Sequence, residues 1–88
     1  MRLVFSDQAW EDCLHWQAAD RDVLQRLNGL IRECRRNPFK GTGKPEPLKG
    51  DLAGWWSRRI TLEHRLVYRV SGKGREQTLE IAMCRFHY

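Results

Sequence analysis

Eighty-eight residues, 41% hydrophobic and 31% charged, exclude a disordered chain and leave room for one domain, residues 1–88, with a modest core. No apolar run approaches membrane-spanning length and the N-terminus MRLVFSDQAW has no signal-peptide core, so the chain reads as cytoplasmic, with no membrane partner. The net charge of +5 is uneven: from Arg32 to Arg75 twelve Lys or Arg face four acids, while the rest is net negative, a segregation that favours a polyanion such as nucleic acid.

In chain order, RLVF at 2–5 predicts a short strand ending at Ser6, a suitable N-cap for a first helix. Trp10, Cys13, Leu14 and Gln17 recur at i, i+3, i+4 and i+7 and predict its inward stripe over about three turns. Asp20 caps a second helix whose stripe is Val23, Leu27, Leu30, Ile31 and Cys34, and Asn37-Pro38 ends it. Three widely spaced cysteines (Cys13, Cys34, Cys84) argue against a disulfide framework and a zinc site, and fit a reducing compartment. Cys13 and Cys34 fall on the helical stripes, where packing is their expected role.

From Phe39 to Gly54 the chain is rich in Gly, Pro and Lys and predicts a loop, long enough in so small a domain to suggest a function. Within it, KPEPLKG (44–50) sets Glu46 between two prolines. Pro45 and Pro47 have φ fixed near −65° and lack an N–H. Each pushes the residue before it, Lys44 and Glu46, toward extended geometry. Glu46 thus has little backbone freedom to lose, although these seven residues alone read as an ordinary surface turn.

WWSRRITL, RLVYRV and TLEIAMCRF then predict three strands, joined by LEH and by a hairpin turn at SGKGREQ. Alternation puts Ile60 and Leu62 on one face, with Leu66, Tyr68 and Val70, and with Leu79, Ile81 and Met83. Trp55 and Trp56 point to opposite faces, so at most one of them enters the core. Two amphipathic helices ahead of the strands predict an α+β fold, both N-terminal helices packed on one face of a mostly antiparallel sheet. Opposite parity sends Arg59 and Arg65 to the uncovered face, with Arg69 further along, a better anion site than most exposed arginines. The terminal CRFHY sets His87 and Tyr88 near the rim of the sheet, with His87 sharing the parity of Met83.

If the polyanion is RNA, cleavage without metal needs a base for the 2′-hydroxyl, a cation for the phosphorane and an acid for the leaving 5′-oxygen. The residues offer Glu46 as base, Arg65 with Arg59 on the phosphate, and His87 as acid. His64 sits at a tight turn and His15 on a helix.

KPEPLKG, the WWSRRIT…EHRLVYRV strand pair and the CRFHY terminus resemble the YoeB branch of the RelE toxin superfamily. The likeness extends to FSDQAWEDCLHW and RRNPFKGTGKPEPLK, so it spans essentially the whole chain. The resemblance implies a RelE-like, microbial-ribonuclease-like fold and the toxin of a type II toxin–antitoxin pair. Such a toxin cuts messenger RNA in the ribosomal A site and stops translation, with no metal and no cofactor. Implied partners are mRNA, the ribosome, a YefM-like antitoxin and a second copy of the chain, with DNA reached only through the antitoxin complex. Carried over by position, the general base falls on Glu46, the phosphate-stabilising arginine on Arg65, the general acid on His87 and the terminal aromatic on Tyr88. Lys49 and Arg59 match supporting positions that hold RNA. The SGKGREQ hairpin is longer than the resemblance leads one to expect.

Two other readings use the same features. A non-catalytic RNA- or ribosome-binding module would stack bases on Trp55, Trp56, Phe86 and Tyr88. A DNA-binding autorepressor fits the charge, but the second helix carries mixed signs and no helix-turn-helix pattern.

Overall fold

Ser6 and Asp20 start the two helices as the sequence predicts. In the computed structural model, which describes residues 1–86, Ser6 Oγ accepts from the Ala9 N–H at 3.0 Å. Asp20 Oδ1 accepts from the Asp22 and Val23 N–H groups at 3.1 and 3.2 Å. They cap α1 (Asp7–Ala19) and α2 (Arg21–Arg36), satisfying donors that a helix start otherwise leaves unpaired. The strands are β1 (Arg2–Phe5), β2 (Glu46–Pro47), β3 (Trp56–Arg59), β4 (Arg65–Ser71) and β5 (Thr78–Met83). They form one sheet in the order β1-β5-β4-β3-β2, with β1 parallel to β5 and every other pair antiparallel. Trp16 of α1 and Leu27, Leu30, Ile31 and Cys34 of α2 pack against Ile60, Leu66, Tyr68, Leu79 and Ile81 in one core. The expected α+β architecture is therefore present, with both helices on one sheet face. No helix among the described residues is long and apolar enough to cross a membrane.

Departures from the sequence reading occur in α1, in the turn after β3 and in β5. On α1 the inward stripe is Ala9, Asp12, Cys13 and Trp16, leaving Trp10 and Leu14 exposed. Polar bonds select this rotation: Trp16 Nε1–H donates to Cys84 O at 2.9 Å, and Asp12 Oδ2 accepts from the Cys84 N–H at 2.9 Å. Trp10 instead meets the Phe5 ring edge-on, with centroids 6.4 Å apart. Leu62 is 84% exposed, because β3 ends at Arg59 and strand alternation stops applying in the turn that follows. Finally, Val67 pairs with Met83 but Tyr68 pairs with Ile81, so Ala82 bulges. The bulge moves Met83 off the face of Leu79 and Ile81 and turns fully buried Cys84 into the core. The parity that tied His87 to Met83 no longer describes a regular strand. His87 and Tyr88 lie outside the described residues.

Cys13 and Cys34 are buried, as their places on the helical stripes predict, and Cys84 joins them in the core through the bulge. Burial pushes the Cys84 thiol up to about 12, with the nearby Asp12 charge adding to it, and burial raises Cys34 to about 11.

Arg58 was not singled out by its sequence neighbourhood, yet it organises the segment after α2. It shares the inner face with Trp56 and Ile60 and is fully buried. Its Nη1 donates to Glu33 Oε1 at 3.0 Å and Thr42 O at 3.2 Å; Nη2 donates to Asn37 O at 2.7 Å and Lys40 O at 2.8 Å. Nε donates to the Tyr68 hydroxyl at 3.1 Å, which itself donates to Pro38 O at 2.6 Å. The Thr42 backbone N–H on Glu33, joined by the Thr42 hydroxyl and Arg58, holds that carboxyl below its usual range. One cation of the basic segment is thus spent on tying residues 37–42 to the sheet.

Candidate active site

The proline-flanked stretch is not a free loop. Glu46 and Pro47 form the edge strand β2, paired with Ser57 and Trp56, and Leu48 N–H extends the ladder to Trp55 O at 2.9 Å. An edge is where a sheet tolerates prolines. Glu46 is extended, as expected. Lys44 is not: its φ is 52°, in the left-handed region, whereas Pro45 alone would favour an extended residue. The chain must reverse at Gly43–Lys44 to lie beside β3, and Gly43 O accepts from the Arg59 N–H at 2.7 Å.

Gly43 has φ 85°, and a Cβ there would lie 2.9 Å from Arg59 O and 3.2 Å from the Arg58 Cβ. Only glycine meets both demands. Gly43→Ala is expected to cost about 1–3 kcal/mol in urea unfolding and to slow any reaction that depends on Glu46. An unchanged unfolding midpoint would show that the turn can relax.

Register places Glu46, Arg59 and Arg65 in rows on the face away from the helices. Glu46, Ser57, Val67 and Met83 lie across β2, β3, β4 and β5 in one row. Arg59 and Arg65 are direct partners in the next row, roughly 7 Å further along the strands. On the other side, Arg69 pairs with Glu80 at 2.7 Å and lies 4.3 Å over the Trp55 ring. That face is not wholly open, since Ser57 and Val67 are buried on it. Trp56 packs against the core, so Trp55 and Trp56 split between faces as alternation predicts.

Within these rows Glu46 and Arg59 are exposed and Arg65 is half-buried. Arg65 Nη1 donates to the carbonyls of Thr61 at 2.9 Å, Leu62 at 3.1 Å and His64 at 3.2 Å. This anchors a long side chain that would otherwise lose rotamer freedom on meeting an anion. Lys49 is exposed ahead of the short 3-10 turn Gly50–Leu52. The carboxylate and the two arginines therefore share one face, with Lys49 at its β2 edge. The described residues enclose no cavity, and a ligand of this face would lie across it as a strand does.

Residues 5–88 match the family model of YoeB-like toxins of bacterial type II toxin–antitoxin systems. The chain is 52% identical to toxin YoeB of Escherichia coli (strain K12) over 88 residues, covering all of both chains. Its structure is similar to a YoeB/ParE toxin from Agrobacterium tumefaciens, with a TM-score of 0.97, 59% identity and full coverage of both chains. It is also similar to YoeB of Staphylococcus aureus, solved as a dimer (TM-score 0.88) and in a heterotetrameric YoeB–YefM complex (TM-score 0.87). In each case identity is 42%, over 100% of this chain and 98% of the other.

Proposed function

The chain belongs to the YoeB family of type II toxins, and from that premise we propose that it is a ribosome-dependent endoribonuclease that cuts messenger RNA without a metal. The observation that carries this reading is the pairing of rows on the helix-free face: Glu46 beside the partnered Arg59 and Arg65. Glu46 takes the proton of a 2′-hydroxyl, and the 2′-oxygen attacks the adjacent phosphorus. Negative charge grows on the phosphorane, and Arg65, its guanidinium already held by three carbonyls, meets it without reorganising. His87 gives a proton to the departing 5′-oxygen, leaving a 2′,3′-cyclic phosphate on one fragment and a 5′-hydroxyl on the other. Arg59 and Lys49 hold the RNA backbone, and Tyr88 supplies the terminal aromatic of the set.

The setting is the ribosomal A site in the cytoplasm, where a cut message stops translation. A YefM-like antitoxin covers the basic face and restrains the activity, and DNA is reached only through that complex. A second copy of the chain is a further partner, as for the dimeric S. aureus relative.

A defined message presented on programmed ribosomes and, separately, free in solution tests the reading. The expected result is cutting on the ribosome and little in its absence. Ribosomes that bind the protein while the message stays whole would establish the non-catalytic binding module instead.

A further inference from the structure

Between β5 and His87 lie Cys84, Arg85 and Phe86, which belong to no strand, yet side chains grip this segment at both ends. At Cys84 the N–H goes to Asp12 Oδ2 and the carbonyl accepts from Trp16 Nε1–H, each at 2.9 Å. At Phe86 the N–H donates to His64 Nδ1 at 2.8 Å, and the carbonyl accepts from the Arg65 N–H at 3.0 Å. Phe86 has φ 66°, a left-handed conformation that a bulky aromatic residue adopts only when its surroundings impose it. The imidazole of His64 is set for this task. Trp16 meets it edge-on with centroids 4.8 Å apart, and the Phe86 ring lies 5.9 Å away. Trp16 therefore serves both grips, through its N–H at Cys84 and its ring at His64. For Nδ1 to accept, the neutral ring must carry its proton on Nε2.

We propose that His64 is a positioning residue for the cleavage reaction: its Nδ1 fixes Phe86 in the left-handed conformation and so sets the direction in which the chain delivers His87. The proposal rests on the nuclease reading above and gives a role to a turn histidine that the reaction itself does not use. Asn and Gln separate geometry from bulk at this site. Asn places an amide oxygen near the position of Nδ1, whereas the longer Gln reaches toward that of Nε2.

The experiment is single-turnover cleavage on saturating programmed ribosomes, with ribosome affinity and the unfolding midpoint measured beside it. His64→Leu is expected to slow the cleavage step about 10²-fold, the scale of a misplaced catalytic group, with ribosome affinity unchanged. His64→Asn should recover most of the rate, and His64→Gln should not. In a His87→Ala background, His64→Leu should cost nothing more, as for two residues acting as one unit. An unaltered rate in His64→Leu, or the same loss added on top of His87→Ala, overturns the proposal. If His64→Leu does not fold, the Asn and Gln variants decide, and equal rates for the two overturn it. A message left whole by the unsubstituted protein would overturn the nuclease reading, and this proposal with it.

Discussion

Glu46→Gln is expected to lower single-turnover cleavage on programmed ribosomes by about 10²–10⁴-fold, the usual contribution of a positioned acid or base. The substitution keeps the shape of the side chain and removes only its capacity to take a proton. Glu46 is exposed, and its backbone pairing with Ser57 involves no side-chain atom. The fold therefore has no reason to respond, and the thermal midpoint should stay where it is. Ribosome affinity should also persist, since the arginines and Lys49 are untouched. Full activity in Glu46→Gln would remove this residue as the base.

Arg58→Met is expected to cost about 3–5 kcal/mol of stability, the summed scale of several acceptors losing one shared donor at about 1–3 kcal/mol each. Methionine fills part of the volume but cannot donate. Asn37 O, Lys40 O and Thr42 O would each lose a guanidinium N–H, and so would Glu33. Replacing a buried ion pair with apolar groups is often neutral when both partners go together. Here the partners are mainly backbone carbonyls, which no substitution deletes. The loss should appear as a lowered urea midpoint with little change in slope. Activity should fall as well, because residues 37–42 lead directly into the Gly43 turn that sets β2 beside β3. A stability loss below about 1 kcal/mol would mean that water replaces the guanidinium at these carbonyls.

These two residues also mark how far the sequence could be read. Helix starts at Ser6 and Asp20, the α2 stripe and the antiparallel strands were legible because capping and periodicity are local. The rotation of α1 was not. Trp10 and Leu14 look like core by hydrophobicity, but Asp12 and Trp16 turn inward to hold Cys84, a partner far away in the chain. Alternation alone places Arg58 on the inner face, between Trp56 and Ile60, but a charged side chain is uncommon in a core, and the carbonyls of residues 37–42 that satisfy it there carry no local sequence signal. The Ala82 bulge and the left-handed Phe86 have no signature in TLEIAMCRF, since both depend on long-range pairing. Of the candidate site, the shared face of Arg59 and Arg65 followed from strand parity. The placement of Glu46 in their sheet did not, because KPEPLKG becomes a strand only by pairing with β3.

The proposed reaction turns on attack by the 2′-hydroxyl beside the scissile phosphate. Its most direct test uses two messages on programmed ribosomes, identical except for a single 2′-deoxy sugar at the cut position. The all-ribose message should be cut there to a 2′,3′-cyclic phosphate, and the deoxy message should stay whole at that position while the protein still binds the ribosome. Equal cutting of both messages would contradict the account, because a nucleophile other than the neighbouring hydroxyl would then be at work.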